Sequence, residues 1–271
     1  MGASYEESGW AGTLIRLRVA AITDIHANLP ALEAVLRSAA KRRVEEIWCL
    51  GDVVGYGADP DACTELVRDR CDACLVGNHD LAVLGELDIS SFSPAAAAAV
   101  RWTQKTADPG TLDFLRGLEP ADESGEVALY HASPRDPVWE YVLWPDQAAE
   151  CIAVQAARVS MIGHSHVALF FAMGEDRRPA RGTSIEMEDV ARGAQAGAGT
   201  RLDLSEGRWL INPGSVGQPR DGDPRGAWLE LDTEAAEVTS HRVEYEIDRA
   251  AEAIDATDLP EHLARRLYVG Q

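Results

Sequence analysis

Positive charge is scarce in this sequence: 25 Lys and Arg stand against 45 Asp and Glu, a formal charge of −20 at pH 7. A protein that grips a nucleic-acid backbone gains affinity by neutralising phosphates and releasing counterions, so long nucleic acid is not expected as a partner. Long apolar runs are missing as well. None approaches the roughly 18 residues a membrane span needs, and no membrane partner is expected. The first stretch, MGASYEESGWAGTLIRLR, has early acids and no apolar centre, unlike a signal peptide. It opens Met-Gly but carries Glu6 where a myristoylation start needs Ser or Thr. The expectation is a cytoplasmic protein with a disordered tail over residues 1–14 and a single domain over residues 15–271.

Cysteine is sparse too. Five residues (Cys49, Cys63, Cys71, Cys74 and Cys151), an odd number without an export signal, read as reduced thiols. Cys71 and Cys74 form a lone CxxC with no second pair to complete a zinc knuckle. Neither GxGxxG nor GxxxxGK[ST] occurs, so no nucleotide-binding loop of those kinds is present.

What the chain does have is order. Apolar runs at 18–23, 46–50 and 73–76 alternate with helical patterns at 29–42 and 60–69, the second opened by Asp59-Pro60. Such alternation predicts right-handed βαβ units and a parallel sheet. Helices are expected at 93–106, with Ser93 as N-cap before Pro94, and at 111–118. Beyond Pro120, strands are expected at 127–130, 159–162, 167–171, 209–211, 227–231 and 237–245. A helix is expected at 145–157, with one or two more after Asp248. The span 174–207, rich in Gly, Ala and charge, shows no period and reads as a long loop or hairpin. The pattern predicts two sheets packed together with helices outside.

In an open parallel sheet, ligands bind beyond the carboxyl ends of the strands. The first expected strand leads to Asp24 and His26, with Asn28 just beyond. The second leads into GDVVGYG with Asp52, and the third into GNHD with Asn78, His79 and Asp80. Later ones lead to His131 and to GHSH with His164 and His166. Five of the seven histidines thus fall at strand ends, and only His241 and His262 lie elsewhere. One such histidine would be unremarked packing; five, with carboxylates between them, point to shared chemistry. Imidazole nitrogen with carboxylate and amide oxygen suits Mn, Fe, Zn, Co or Ni. Two such ions sharing a carboxylate activate a water and clamp an in-line displacement at phosphorus, and they reverse the field of an acidic protein.

The motifs DIH, GDVVGYG, GNHD, HAS and GHSH, in that order between Asp24 and His166, closely resemble the calcineurin-like metallophosphoesterases. NPGSVGQPRDGDP (residues 212–224) resembles the closing segment of their small bacterial, phosphodiesterase-like branch. The resemblance implies an α/β fold, a four-layer α/β/β/α sandwich of two mixed β-sheets flanked by helices. It implies two divalent metal ions per chain, Mn first, with Fe, Zn, Ni, Co or Mg compatible. Asp24, His26 and His166 would hold one ion, Asn78, His131 and His164 the other, and Asp52 would bridge. His79 would face the substrate, stabilising phosphoryl oxygens or protonating the leaving group, with Asp80 orienting it. Asn28 would hold the loop or line the substrate site.

Departures from the pattern narrow the reading. Protein phosphatases of this superfamily carry an Arg after the bridging Asp, in GDxVDRG; here the Gly55-Tyr56-Gly57 turn replaces it. This counts against a protein phosphatase and, less, against relatives that cleave diadenosine tetraphosphate. Arg135 and Arg220 could grip a phosphate instead, or pair with their Asp neighbours, and Tyr56 would form a pocket wall. The implied activity is hydrolysis of a small phosphate ester, a phosphodiester first, by a metal-bridging hydroxide. The alternatives are a dinucleoside-polyphosphate or phosphoprotein phosphatase activity, or a non-catalytic scaffold such as a subunit of the retromer coat. Scaffolds of this fold tend to lack ligands or the catalytic His, and here the set is complete.

Overall fold

The apolar run Arg18–Ile22 forms strand β1, buried on both faces after its first residue. The computed structural model describes residues 17–174 and 191–271, so the expected tail over residues 1–14 lies outside the described residues. After β1 come α1 (Leu29–Arg42), β2 (Glu46–Cys49), α2 (Pro60–Arg70), β3 (Ala73–Cys74) and α3 (Asn78–Val83). Then follow α4 (Pro94–Thr106), α5 (Pro109–Arg116), β4 (Ala121–Asp122), β5 (Val127–Tyr130), α6 (Pro145–Val154), β6 (Val159–Met161) and β7 (Leu169–Met173). Strands β8 (Arg192–Gln195), β9 (Arg201–Asp203), β10 (Arg208–Asn212), β11 (Gly226–Asp232) and β12 (Glu237–Val243) precede α7 (Ile247–Asp255) and α8 (His262–Arg266).

Two mixed six-stranded sheets result, in the orders β3-β2-β1-β11-β12-β9 and β4-β5-β6-β10-β7-β8. In the first, β1, β2 and β3 are parallel, with Val19 opposite Glu46 and Ile22 opposite Cys49. In the second, β5, β6 and β10 are parallel. Strand β1 shows why its sequence is apolar throughout. Val19 and Ala21 point between the sheets, toward the layer that holds Leu129, Val159, Met161 and Leu229. Ala20 and Ile22 point the other way, into the layer with Leu32 and Val35 of α1. A strand covered on both faces has no room for alternation. Helix α6 covers the outer face of the second sheet, with Ala148 and Ile152 in one cluster with Ala128, Tyr130 and Leu210. The two-sheet sandwich with outer helices therefore stands as expected.

Two expectations are corrected. The span 174–207 is not all loop: its described part supplies β8 and β9, the outermost strands of the two sheets. Every residue of β8 is exposed, and a strand with no buried face leaves no apolar period to read; residues 175–190 lie outside the described residues. The GNHD motif does not end a strand either. β3 stops at Cys74, and Asn78 opens α3, because the Asp80 carboxylate accepts from the Gly77 N–H at 2.9 Å and caps the helix. The five cysteines are free. Among the described residues, no helix is long and apolar enough to cross a membrane.

Candidate metal centre

The loops that follow β1, β2, β5 and β6 are knitted to one another by backbone bonds. Asp24 N–H donates to Gly51 O at 3.0 Å and His26 N–H to Asp52 O at 2.9 Å, joining the first two loops. Gly163 N–H donates to His131 O at 2.7 Å, joining the other two. His164 N–H donates to the Asp24 carboxylate at 3.1 Å and ties one sheet to the other. Asp24, His26, Asp52, His164 and His166 all adopt left-handed backbone, with φ of 53, 50, 52, 63 and 59°. A non-glycine residue in that region costs roughly 1–3 kcal/mol and persists where its surroundings enforce it, typically at functional sites.

These loops bring the side chains together. The His26 and His166 Nε2 atoms are 3.0 Å apart. His26 Nε2 lies 3.4 Å from Asp52 Oδ2, and His166 Nε2 lies 3.4 Å from Asp24 Oδ1. On the other side, His131 Nε2 lies 3.6 Å from Asp52 Oδ1 and 3.2 Å from Asn78 Oδ1. Two groups of potential metal ligands result: Asp24, His26, Asp52 and His166, and Asp52, His131 and His164, all buried, with ligand atoms in each within 4.8 Å of one another. Asp52 belongs to both.

The hydrogen bonds fix which ring nitrogens are free. His26 Nδ1 faces Val54 O at 3.1 Å and His166 Nδ1 faces Gln218 O at 2.6 Å. A carbonyl only accepts, so each Nδ1 carries the hydrogen. Burial holds both rings well below the ordinary histidine pKa, hence neutral. Their Nε2 lone pairs therefore face each other and two carboxylates, an arrangement repulsive unless a cation lies between them. His164 Nε2 faces Trp139 O at 3.2 Å, which leaves Nδ1 as its free lone pair. Asp24 and Asp52 each spend one oxygen on backbone N–H donors and leave the other, Asp24 Oδ1 and Asp52 Oδ2, buried without a partner. Burial pushes the Asp24 carboxyl up to about 7 and the Asp52 carboxyl well above its usual range, with the Asp80 charge adding to the latter. A nearby cation restores the carboxylate form. Neutral imidazoles with inward lone pairs and orphaned carboxylate oxygens fit divalent metal ions.

The other predicted residues separate into several duties. His79 is buried, its ring 4.9 Å from His26, 4.3 Å from Tyr56 and 5.1 Å from Phe92 by centroids, and its Nδ1 has no partner. Asp80 does not orient it, which corrects the sequence reading. Its Oδ2 accepts from Gly77 and Val53 and its Oδ1 from Val54, so it fixes the loops bearing Asp52 and Asn78. Asn28 is likewise occupied: its Oδ1 caps α1 through Ala31 N–H, and its amide donates to Gly217 O at 2.8 Å. It holds the 212–224 segment in place and, with His26, Tyr56 and Gln218, lines a small cavity. Arg135 is held by the carboxylates of Glu140 and Glu150, not by its Asp neighbour and not by the cluster. Tyr56 is a wall, 4.7 Å from His26 by ring centroids. Arg220 donates to Tyr56 Oη at 3.3 Å and to Gln218 Oε1 at 3.1 Å. Its charge is among those acting on Asp24, His26, Asp52, His79, His164 and His166.

Sequence reasoning missed the rim. Phe92, Trp139 and Tyr141 form an aromatic arc, with Tyr141 4.0 Å from His164 and Trp139 5.2 Å from Phe92 by centroids. The signal was available: Trp139, Tyr141 and Trp144 crowd into six residues of a chain only 6% aromatic. Arg266 of α8, whose guanidinium lies 5.9 Å from the Tyr56 centroid, was missed as well. The two remaining histidines stand apart. His241 bonds Glu230 at 3.0 Å and stacks on Trp228, and His262 is exposed on α8.

Comparison with known proteins places this geometry among relatives. A family model for the calcineurin-like phosphoesterase superfamily domain matches residues 17–234. An uncharacterized protein of Methanocaldococcus jannaschii is 37% identical over 264 residues, covering 95% of this chain and 100% of its own. The crystal structure of a metallophosphoesterase from Sphaerobacter thermophilus is 40% identical with a TM-score of 0.82, covering 95% of this chain and 100% of that one. A hypothetical protein from Pyrococcus horikoshii OT3 shares the fold at 19% identity and a TM-score of 0.71, over 94% of this chain and 98% of that one.

Proposed function

Because this chain belongs to the calcineurin-like phosphoesterase superfamily, we propose that it hydrolyses a small phosphodiester with the help of two divalent metal ions. One observation carries the reading: Asp52 turns Oδ2 toward His26 and Oδ1 toward His131, one oxygen for each ligand group, a division that suits a bridging carboxylate. Asp24, His26 and His166 would hold one ion, and Asn78, His131 and His164 the other. When bound, such ions supply Lewis acidity and make water a competent nucleophile at neutral pH. The donor set of imidazole, carboxylate and amide suits Mn, Fe, Zn, Co or Ni alike, and Mn²⁺ is the first ion to test. Its five free cysteines suit a reducing compartment, and the protein is proposed to work in the cytoplasm.

The remaining residues supply the rest of the chemistry. Burial, together with the Arg220 charge, holds the His79 ring well below the ordinary histidine pKa and so neutral. What His79 offers is thus a directed N–H for a phosphoryl or leaving oxygen. Arg220 brings a positive charge to the same side. A diester carries one negative charge at its scissile phosphate and a monoester up to two, so a centre with one arginine acting on it suits the diester. In the reaction a water oxygen bonds to phosphorus, the bond from phosphorus to the leaving oxygen breaks, and the departing alcohol takes up a proton. The test is to strip metals with a chelator, restore Mn²⁺ and assay bis-p-nitrophenyl phosphate against p-nitrophenyl phosphate. Metal-dependent release of nitrophenol, faster from the diester, is expected; no metal-dependent turnover of either would overturn the hydrolase reading.

A further inference from the structure

Two arginines meet at Tyr56 from distant parts of the chain. Arg220, in the 212–224 segment, has its guanidinium carbon 5.7 Å from the Tyr56 ring centroid, and Arg266, in α8, has its own 5.9 Å away. Among the described residues Arg220 forms no ion pair with a side-chain carboxylate, in a chain where acids outnumber cations by 45 to 25, and Arg266 meets only the carboxyl group of the last residue, Gln271. Arg220 is satisfied only in part: one terminal nitrogen bonds Tyr56 and Gln218, while its Nε is buried with no partner. Arg266 spends only Nε on the Gln271 terminal carboxyl group, which leaves its two terminal nitrogens for other acceptors.

The placement is built, not incidental. Tyr56 shares a buried cluster with Ala250, Ile254, Leu263 and Leu267 of the C-terminal helices, which fixes α8 against the ring. Gly222 N–H donates to Gly270 O at 3.0 Å, tying the end of that helical segment to the loop that carries Arg220. The fold thus anchors two like charges against one tyrosine ring, and the Arg220 charge is among those that disfavour protonation of Arg266. Like charges held together and partly desolvated cost free energy unless an anion offsets them. An order along the site also follows. Arg220 adjoins the ligand histidines, its backbone N–H donating to His166 O at 3.1 Å, whereas Arg266 meets the outer side of the same region through Tyr56, whose ring lies 4.7 Å from His26.

We propose that Arg220 and Arg266 form a two-guanidinium seat in which Arg220 faces the scissile phosphate and Arg266 binds a second phosphoryl group of the same substrate. The substrate class is then a phosphate ester that carries a second phosphoryl group next to the one attacked. Arg266, which lies beyond the residues matched by the family model, sets that specificity. Planar guanidinium forks suit phosphoryl oxygens through paired, charge-assisted bonds.

This assignment rests on the hydrolase reading, and the experiment separates the two. Calorimetry on the Mn²⁺-loaded protein, at a fixed excess of free Mn²⁺, compares adenosine 5′-monophosphate with α,β-methylene adenosine diphosphate, which differ by one phosphoryl group. The wild-type protein is expected to bind the diphosphonate at least about tenfold more tightly, the scale of one charge-assisted contact. Arg266→Gln is expected to abolish that preference and Arg266→Lys to keep part of it, with melting temperatures confirming that both variants fold. A wild-type protein without the preference, or Arg266→Gln that retains it, overturns the seat. Turnover of bis-p-nitrophenyl phosphate without the preference leaves the hydrolase reading standing and removes the seat; the preference without turnover does the reverse.

Discussion

His79 differs from every other histidine of the centre in one respect: it belongs to neither group of potential metal ligands, and its Nδ1 has no partner. Removing it should therefore spare the metals and harm the reaction. His79→Ala is expected to keep two ions per chain by elemental analysis while kcat falls by about 10²–10³-fold, the usual worth of one positioned hydrogen-bond donor. Loss of an ion in that variant would place His79 among the ligands instead. At this scale the sequence was informative about types and silent about partners. Asp24, His26, Asp52, His131, His164 and His166 could be singled out because ligating side chains recur after successive strands. The duties of Asp80 and Asn28 could not, because both bond backbone N–H or C=O groups that no letter of the sequence displays. Arg266 escaped for a related reason: nothing in HLARRLY marks one arginine as facing Tyr56.

Elements set these side chains more than their own rotamers do, and glycine makes the loops possible. A Cβ on Gly77 would lie 2.0 Å from Asp52 Oδ1 and 2.5 Å from Asp52 N. Gly77→Ala must therefore displace the one carboxylate common to both ligand groups. It is expected to reduce the ions bound per chain from two to at most one, read by elemental analysis, while the far-ultraviolet circular dichroism stays that of a folded α/β protein. Two bound ions in Gly77→Ala would show that the loop yields without cost. The parallel core was legible because β1 and β5 are buried on both faces and so spell continuous apolar runs. Strands β8 and β9 were not, being edge strands whose pairing is carried by backbone bonds. The start of α3 was hidden too, since its cap is an Asp three residues inside the helix rather than a Ser or Thr before it.

For the molecule as a whole, a buried cluster with inward lone pairs is a debt that bound cations offset. Ligands that bind only the folded state stabilise it by mass action, about 4 kcal/mol at a thousandfold excess over Kd. For a chain of this size that amounts to a shift on the order of 10 °C. Calorimetric scans are expected to show the melting temperature drop by roughly this amount with chelator and recover with Mn²⁺; a melting temperature indifferent to both would mean that the cluster holds no metal.

Each ligand group also recruits from both sheets: Asp24, His26 and Asp52 follow strands of the first, and His131, His164 and His166 follow strands of the second. The catalytic rim is therefore a seam. Any slip of one layer over the other, even by an ångström, would pull both halves of the cage apart at once. Substitutions in the oily interlayer, around Met161 or Leu229, far from any reacting atom, should thus register as lost turnover before they register as lost secondary structure.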